Sequence, residues 1–292
     1  VRILILGGDG MLGHQLLKSW QSSHEVRVTL RQNQAEYEKY SLFHTGNSFY
    51  NIDVRSFDDV KKVATQFKPE AVVNAVGIVK QREEAQDALM SIEVNALLPH
   101  HLNLLCREMG IRLVHLSTDC VFSGSKGNYS EDNLEDASDL YGRSKLLGEV
   151  TGSSAVTLRT SIIGLELARN KGLIEWFLSQ QGTIKGFTKA IFSGFTTQEM
   201  ARIIELILVK HPSSSGLWHV ASIPISKYDL LKTLKGYLNR NQLDIEPYDD
   251  FVCDRSLNAS QFLEATGYQP PSWDAMLKEL AQQIQERNHF TG

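Results

Sequence analysis

Apolar residues in the first 160 positions fall into short, nearly continuous runs separated by segments of helical period. The runs are 2–6, 25–30, 71–75, 113–117 and 156–159, and several lack the polar alternation of a strand with one wet face. Strands of that kind are buried on both faces, as in a parallel sheet. Between them, 11–20, 60–67 and 85–105 carry helical patterns with an apolar stripe. This alternation predicts right-handed βαβ crossovers and an α/β fold, a Rossmann doubly wound parallel sheet.

Beyond residue 160 the rhythm loosens. Residues 182–186 read as a turn-rich connector, 197–209 as a helix, 212–216 as a loop and 217–220 as a short strand. Ser226 is placed to cap a helix reaching about Leu238, and Ser272 to cap one over 273–284. The expected organisation is a dinucleotide-binding domain over 1–160 and, over 161–292, mainly a smaller C-terminal α/β substrate lobe. Some segments of the second part are allowed to return to the first.

The chain of 292 residues is long enough for a sizeable core. Its 42% hydrophobic and 22% charged residues are ordinary for a soluble globular protein. A net charge of −4 and a pI near 6.2 argue against a nucleic-acid or membrane-surface partner, which would favour a basic face. The longest apolar segment, 203–209, is broken by Glu205 and too short to span a bilayer. No charged-then-apolar leader precedes the first strand, and a start at Val1 suggests a processed or trimmed terminus. Cys106, Cys120 and Cys253 have no metal-type spacing and cannot all pair within the chain, so no metal site and a reduced, cytoplasmic protein are expected.

The first strand runs directly into Gly7-Gly8-Asp9-Gly10-Met11-Leu12-Gly13. A backbone turning sharply from strand to helix needs residues without Cβ. The same glycines let a pyrophosphate approach the free N–H groups and positive dipole end of the helix. Gly7, Gly10 and Gly13 are therefore candidate coenzyme contacts, although the spacing is one residue longer than the usual fingerprint. NAD requires a carboxylate at the end of the second strand, and here Arg31 stands there with no acid until Glu36. A guanidinium suits a 2′-phosphate, so NADP(H) is favoured and NAD(H) stays open; a solvated surface arginine is the bland alternative. Asp53-Val54 could recognise the adenine edge, or Asp53 could cap a helix.

Tyr141 and Lys145 lie four apart, on one face of a helix. An ammonium about 4 Å from the phenol, at an effective dielectric near 20, would favour phenolate by roughly 4 kcal/mol, about three pKa units. That would poise Tyr141 near neutrality as a general acid–base. Such a pair occurs by chance in many helices, and its company raises its meaning. Thr118 ends a buried strand at its carboxyl end, where ligands bind in open α/β sheets, and its hydroxyl could bond a substrate oxygen as charge develops. It could equally cap a turn.

These segments resemble the extended short-chain dehydrogenase/reductases, and within them the dTDP-4-dehydrorhamnose reductase-like sugar-nucleotide reductases. The resemblance rests on 7–13, Val73-Asn74-Ala75, 94–99, 116–124, 141–149 and 158–161, and so mainly on the first 160 residues. It implies hydride transfer from NAD(P)H to C4 of a nucleotide-linked 4-keto-6-deoxyhexose, with Tyr141 protonating the alkoxide. It counts Met11, Leu12, Asn74, Ala75, Val76, Tyr141 and Lys145 among the coenzyme contacts, and makes Asn95 a structural tie between the central helix and the sheet. Two positions depart from the pattern: Cys120 replaces a tyrosine, and Ile162 stands where an aromatic residue is usual.

Related dehydratases carry an acidic pair after the threonine; Asp119 is present here but Cys120 follows, which argues against dehydration. GDP-fucose synthase-like epimerase–reductases place a cysteine two residues after the catalytic hydroxyl, as Thr118 and Cys120 are placed, but their histidine position holds Lys171-Gly172 here. A cofactor-binding regulatory subunit, like that of methionine adenosyltransferase, is a third reading, weakened by retention of all three catalytic types. Lys80, Asp119, Cys120 and Arg255 are the candidate substrate contacts, with Arg202 a weaker diphosphate candidate. Trp176, Phe187, Phe192 and Phe195 could stack on a nucleobase but more often belong to a core. Related enzymes often pair through helices of the nucleotide-binding domain, which leaves a homodimer open. The nucleotide, the sugar and the product stereochemistry are not legible.

Overall fold

The computed structural model describes residues 1–79, 87–168 and 170–290, the last three by backbone alone. Seven strands form one sheet: β1 (Arg2–Leu6), β2 (Glu25–Thr29), β3 (Ser48–Phe49), β4 (Ala71–Asn74), β5 (Arg112–Thr118), β6 (Ala155–Thr160) and β7 (Gly216–His219). Their order is β7-β6-β5-β4-β1-β2-β3, and every neighbouring pair is parallel. The order reverses between β1 and β4, which opens a crevice at the carboxyl ends of these strands, where such sheets bind ligands.

The near-continuous apolar runs are explained by burial on both sides. Leu4 and Leu6 pack with Val60, Val63 and Leu102, whereas Ile3 and Ile5 pack with Leu16, Leu17 and Trp20. Helices α1 (Met11–Trp20), α2 (Phe57–Phe67) and α3 (Leu98–Met109) supply these covers. A short turn, Ala88–Ser91, and a widened π-helical segment, Ile92–Leu97, lead into α3. The helix predicted over 85–105 thus covers the described residues from Ala88 onward. Gly110, at φ 67, ends α3 in the left-handed conformation that glycine tolerates best.

Helix α4 (Leu140–Leu147) lies between β5 and β6 in sequence. The later segments supply α5 (Thr197–Lys210), α6 (Lys227–Tyr237) and α7 (Trp273–Phe290). Helices α5 and α7 join the core on the α1 face, and β7 extends the sheet edge through Leu217↔Thr157. Two expectations change. The connector expected at 182–186 is largely a strand, Thr183–Phe187, paired in parallel with Asp244–Tyr248. Its alternating exposure was present in the sequence, but the partner lies some sixty residues away. β3 was not anticipated because Ser48–Phe49 has no apolar run; its register comes from β2, through Val28↔Ser48. Among the described residues no helix is long and apolar enough to cross a membrane.

Candidate active site

The glycine turn is sterically specified. Gly7 has φ +83, and Gly10 N donates to Gly7 O at 3.0 Å. A Cβ on Gly13 would fall 2.0 Å from Gly7 O, and one on Gly8 would fall 2.5 Å from Val28. Helix α1 can therefore start against the turn only with glycine there. No side chain caps its N-terminus.

A cleft opens beside this turn. Gly7, Gly10, Arg31, Asp53, Val54, Ala75 and Val76 line it, so seven sequence candidates come together. The other six, Tyr141 and Lys145 among them, do not line it. Leu12 is buried in the core, and Gly13 is packed under the turn. Met11 reaches toward Gly172. Asn74 faces inward, with Nδ2 3.1 Å from His115 Nδ1, while its Oδ1 accepts from Val76 N at 3.2 Å and so shapes the cleft wall indirectly.

Sequence reasoning missed Arg55 and Asp9, which also line the cleft. Arg55 grips Asp53 with Nη2–Oδ2 2.5 Å and Nε–Oδ1 3.0 Å, and these bonds hold the Asp53 carboxyl below its usual range. Asp53 is not a helix cap; Ser56 occupies that position before α2. The Tyr37 hydroxyl donates to Asp9 Oδ2 at 3.2 Å. The Asp-x-Arg spacing after the third strand was the available signal for Arg55.

Thr118 ends β5 and is buried. Its Oγ1 accepts from Cys120 N at 3.1 Å, the turn-capping role, and donates to Asp119 Oδ1 at 3.3 Å; the same hydroxyl is near enough to the Tyr141 phenol to favour its ionised form. Tyr141 is brought there by the first turn of α4. Asp139 caps that turn, its Oδ1 accepting from Gly142 N at 2.8 Å. Gly142 lets the turn press onto the 119–121 segment: a Cβ would meet Cys120 O at 2.3 Å and Ala137 Cβ at 2.6 Å.

Lys145 sits one turn further along α4, buried, with Nζ donating to Leu116 O at 2.6 Å. Burial lowers its pKa to about 8, with the Glu149 carboxylate opposing the fall. The expectation that Lys145 would acidify Tyr141 is corrected. Desolvation, joined by Cys120, Asp119 and Asp139, pushes the phenol well above its ordinary value. The ammonium hydrogen-bonds the β5 carbonyl, and desolvation dominates the phenol.

Asn95 joins α4 to the cleft wall. Its Oδ1 accepts from Ile78 N at 2.8 Å, and its Nδ2 donates to Ile78 O at 3.0 Å and to Ser144 Oγ at 3.1 Å. Ile78 lines the cleft, so this bracket ties α4, through Ser144, to the cleft wall.

Asp119, Cys120 and Arg255 gather on the other side of Thr118. Arg255 Nε donates to Phe122 O at 2.8 Å, and its charge acts on both Asp119 and Cys120. Burial raises the Asp119 carboxyl. Burial and the Asp119 charge raise the Cys120 thiol to about 12, which opposes a role as proton acceptor. Lys80 lies outside the described residues. Arg202 goes elsewhere, paired with Glu199 and Glu279 between α5 and α7. Phe195 is fully buried, and Phe192 packs on Trp273 at 5.4 Å, which makes both core residues. Among the described residues no cluster is arranged to hold a metal ion.

The family model described as "RmlD substrate binding domain" matches residues 1–286 of the chain. A dTDP-4-dehydrorhamnose reductase of Aggregatibacter actinomycetemcomitans is 26% identical over 309 residues, spanning 96% of this chain and 98% of that relative. The crystal structure of a hypothetical dTDP-4-dehydrorhamnose reductase from Sulfolobus tokodaii superposes with a TM-score of 0.75 at 25% identity, over 94% of this chain and 98% of that one. The dTDP-4-dehydrorhamnose reductase of Bacillus anthracis in complex with NADP has a TM-score of 0.77 at 20% identity, over 97% and 99%, a likeness of fold.

Proposed function

The chain belongs to the RmlD substrate binding domain family, and from that premise we propose that it is a nicotinamide-dependent reductase of nucleotide sugars. The reaction proposed is reduction of the 4-keto group of a nucleotide-linked 4-keto-6-deoxy sugar. The observation that carries this reading is the gathering of Thr118 at the end of β5, the nearby Tyr141 phenol and the buried Lys145, whose helix is tied through Ser144 and Asn95 to Ile78 on the glycine-turn cleft. The end-to-end likeness to a dTDP-4-dehydrorhamnose reductase supports the substrate class.

The residues fit a dinucleotide. Gly8 and Gly13 let the turn pack tightly against Val28 and the Gly7 carbonyl, and the N-terminus of α1 beside it has no side-chain cap. NADP(H) is favoured because Arg31 lines the cleft, with Arg55 close by and held on Asp53; NAD(H) remains a second coenzyme. When bound, the reduced nicotinamide supplies the hydride. The chain's own groups manage the oxygen. Thr118 donates a hydrogen bond to it, and Tyr141 gives it a proton as charge develops. A phenol with a raised pKa keeps its proton at neutral pH until that moment. Lys145 would hold a positive charge behind the phenol and bind the nicotinamide ribose. Asp119, Cys120 and Arg255 would contact the sugar nucleotide, Arg255 using guanidinium donors left free by Phe122. The division proposed is a dinucleotide part over 1–160 and a substrate lobe drawn from 161–292.

The test mixes the protein with NADPH and a panel of 4-keto sugar nucleotides and follows the loss of NADPH absorbance. Tyr141→Phe is expected to cut turnover by about 10²–10⁴-fold while NADPH still binds. Undiminished turnover in that variant removes the assigned proton donor.

A further inference from the structure

Behind the Tyr141–Lys145 pair lies a buried set of charges with no part in the chemistry above. Arg159 on β6 is 1% exposed. It donates to Glu149, two residues past the end of α4, with Nε–Oε1 2.7 Å and Nη2–Oε2 2.7 Å. The same guanidinium pairs with Glu135, in the segment before α4, and approaches His219 Nε2 on β7 at 3.3 Å. Ser117 Oγ donates to Glu149 Oε1 at 2.6 Å. Ser117 directly precedes Thr118 and is the register partner of Arg159. Gly148 is pressed onto the Asn95 carbonyl, where a Cβ would lie 1.9 Å away, so the turn carrying Glu149 has one seat.

We propose that Glu149 is a positioning residue for the Tyr141–Lys145 pair: its carboxylate ties the ends of β5 and β6 to the last turn of α4 and so fixes where the Lys145 ammonium points. The proposal rests on the reductase reading of the site.

The physical argument is one of charge and reach. Lys145 is faced by the Leu116 carbonyl and the buried His115 ring from β5 and by Glu149 from its own segment. His115 is held neutral by burial, with Lys145 and His100 acting the same way. Glu149, four residues past Lys145, supplies the negative charge that acts on it, and the same carboxylate is held by Arg159. Buried ion networks of this kind are poor sources of stability but can enforce one geometry. Removing the carboxylate deletes the negative charge that favours the Lys145 ammonium and frees the β5–β6 end from α4, and the lost charge lowers the Lys145 midpoint.

The experiment uses the full chain with lysines labelled at Cε and Nζ. The Lys145 resonance is assigned with Lys145→Arg and titrated by NMR, in parallel with pH profiles of kcat/KM. Glu149→Gln should lower the Lys145 midpoint by roughly one unit and move the alkaline limb of kcat/KM by the same amount. Glu149→Asp should restore most of both. A midpoint and limb that stay in place while only thermal stability falls would reduce Glu149 to a structural part and overturn the proposal. Should Glu149→Gln fail to fold, Glu135→Gln takes its place, because that carboxylate is more exposed. The same downward direction is required, and an unmoved midpoint overturns it. If the wild type oxidises NADPH with no sugar nucleotide, the reductase reading falls, while the resonance titration still decides the role of Glu149.

Discussion

Replacing Gly142 by alanine tests whether the site depends on the seating of α4. The added methyl would lie 2.3 Å from the Cys120 carbonyl oxygen and 2.6 Å from Ala137 Cβ. The first distance falls about 1 Å short of ordinary contact, and its neighbour is backbone rather than a flexible side-chain tip. The first turn of α4 must therefore move off the 119–121 segment by a comparable amount, carrying Tyr141 away from Thr118. Overpacking of this kind costs about 1–3 kcal/mol. A chain of 292 residues has an unfolding entropy of about 0.6 kcal/mol per kelvin, so Tm should fall by about 2–5 °C. Catalysis should suffer more than stability, since a displacement of about 1 Å at reacting groups costs on the order of 10²-fold. The assays are calorimetry and NADPH oxidation with the reducible sugar nucleotide. Gly236→Ala is the control: it lies in α6 with nothing within 4 Å of the new methyl, and should gain up to about 1 kcal/mol from helix propensity with turnover unchanged. If Gly142→Ala kept full turnover and Tm, the close approach of α4 to the Thr118 turn would not be what places the phenol.

Arg31→Ala should weaken NADPH by about 10–100-fold through loss of a charge-assisted hydrogen bond and leave NADH nearly unchanged; calorimetric titration of both coenzymes decides, and equal losses would remove the phosphate argument. Lys145 has a folded pKa of about 8 against an ordinary 10.5, so the unfolded chain holds more protons between these values. Stability from this group is therefore greatest above pH 10.5 and is lost as pH falls to 8, by on the order of 3 kcal/mol. Urea unfolding of wild type relative to Lys145→Met should show that gain from pH 8 to 10.5. A flat difference across this window would mean that the ammonium is not desolvated as the structure has it.

The early elements were legible because their residues sit in environments that leave composition little freedom. Ile3–Leu6 must be apolar throughout since both faces of β1 are covered, and Gly13 must be glycine because α1 starts against Gly7 O. Gly7, Gly10, Arg31, Asp53, Val54, Ala75 and Val76 reach one cleft for the same local reasons. Thr183–Phe187 was illegible because its partner, Asp244–Tyr248, is remote, and a two-stranded pairing leaves only a faint alternation. Arg202 was open between a ligand and a surface pair until Glu279 on α7 was seen opposite it. Arg159 read as one residue of a strand, yet it is the hub for Glu135, Glu149 and His219, drawn from three separate stretches of chain.

From the order of residues alone came the strand–helix alternation, the glycine turn, and the one-face spacing of Tyr141 and Lys145, all governed by contacts within a few residues or by burial of a whole segment. Protonation was decided only in three dimensions. Spacing suggested a lysine that would acidify a tyrosine; folding turned Lys145 Nζ to the Leu116 carbonyl and desolvated the phenol, so its pKa rises instead. Desolvation and the direction of a hydrogen bond depend on what surrounds a group from every side, and no stretch of linear sequence carries that information.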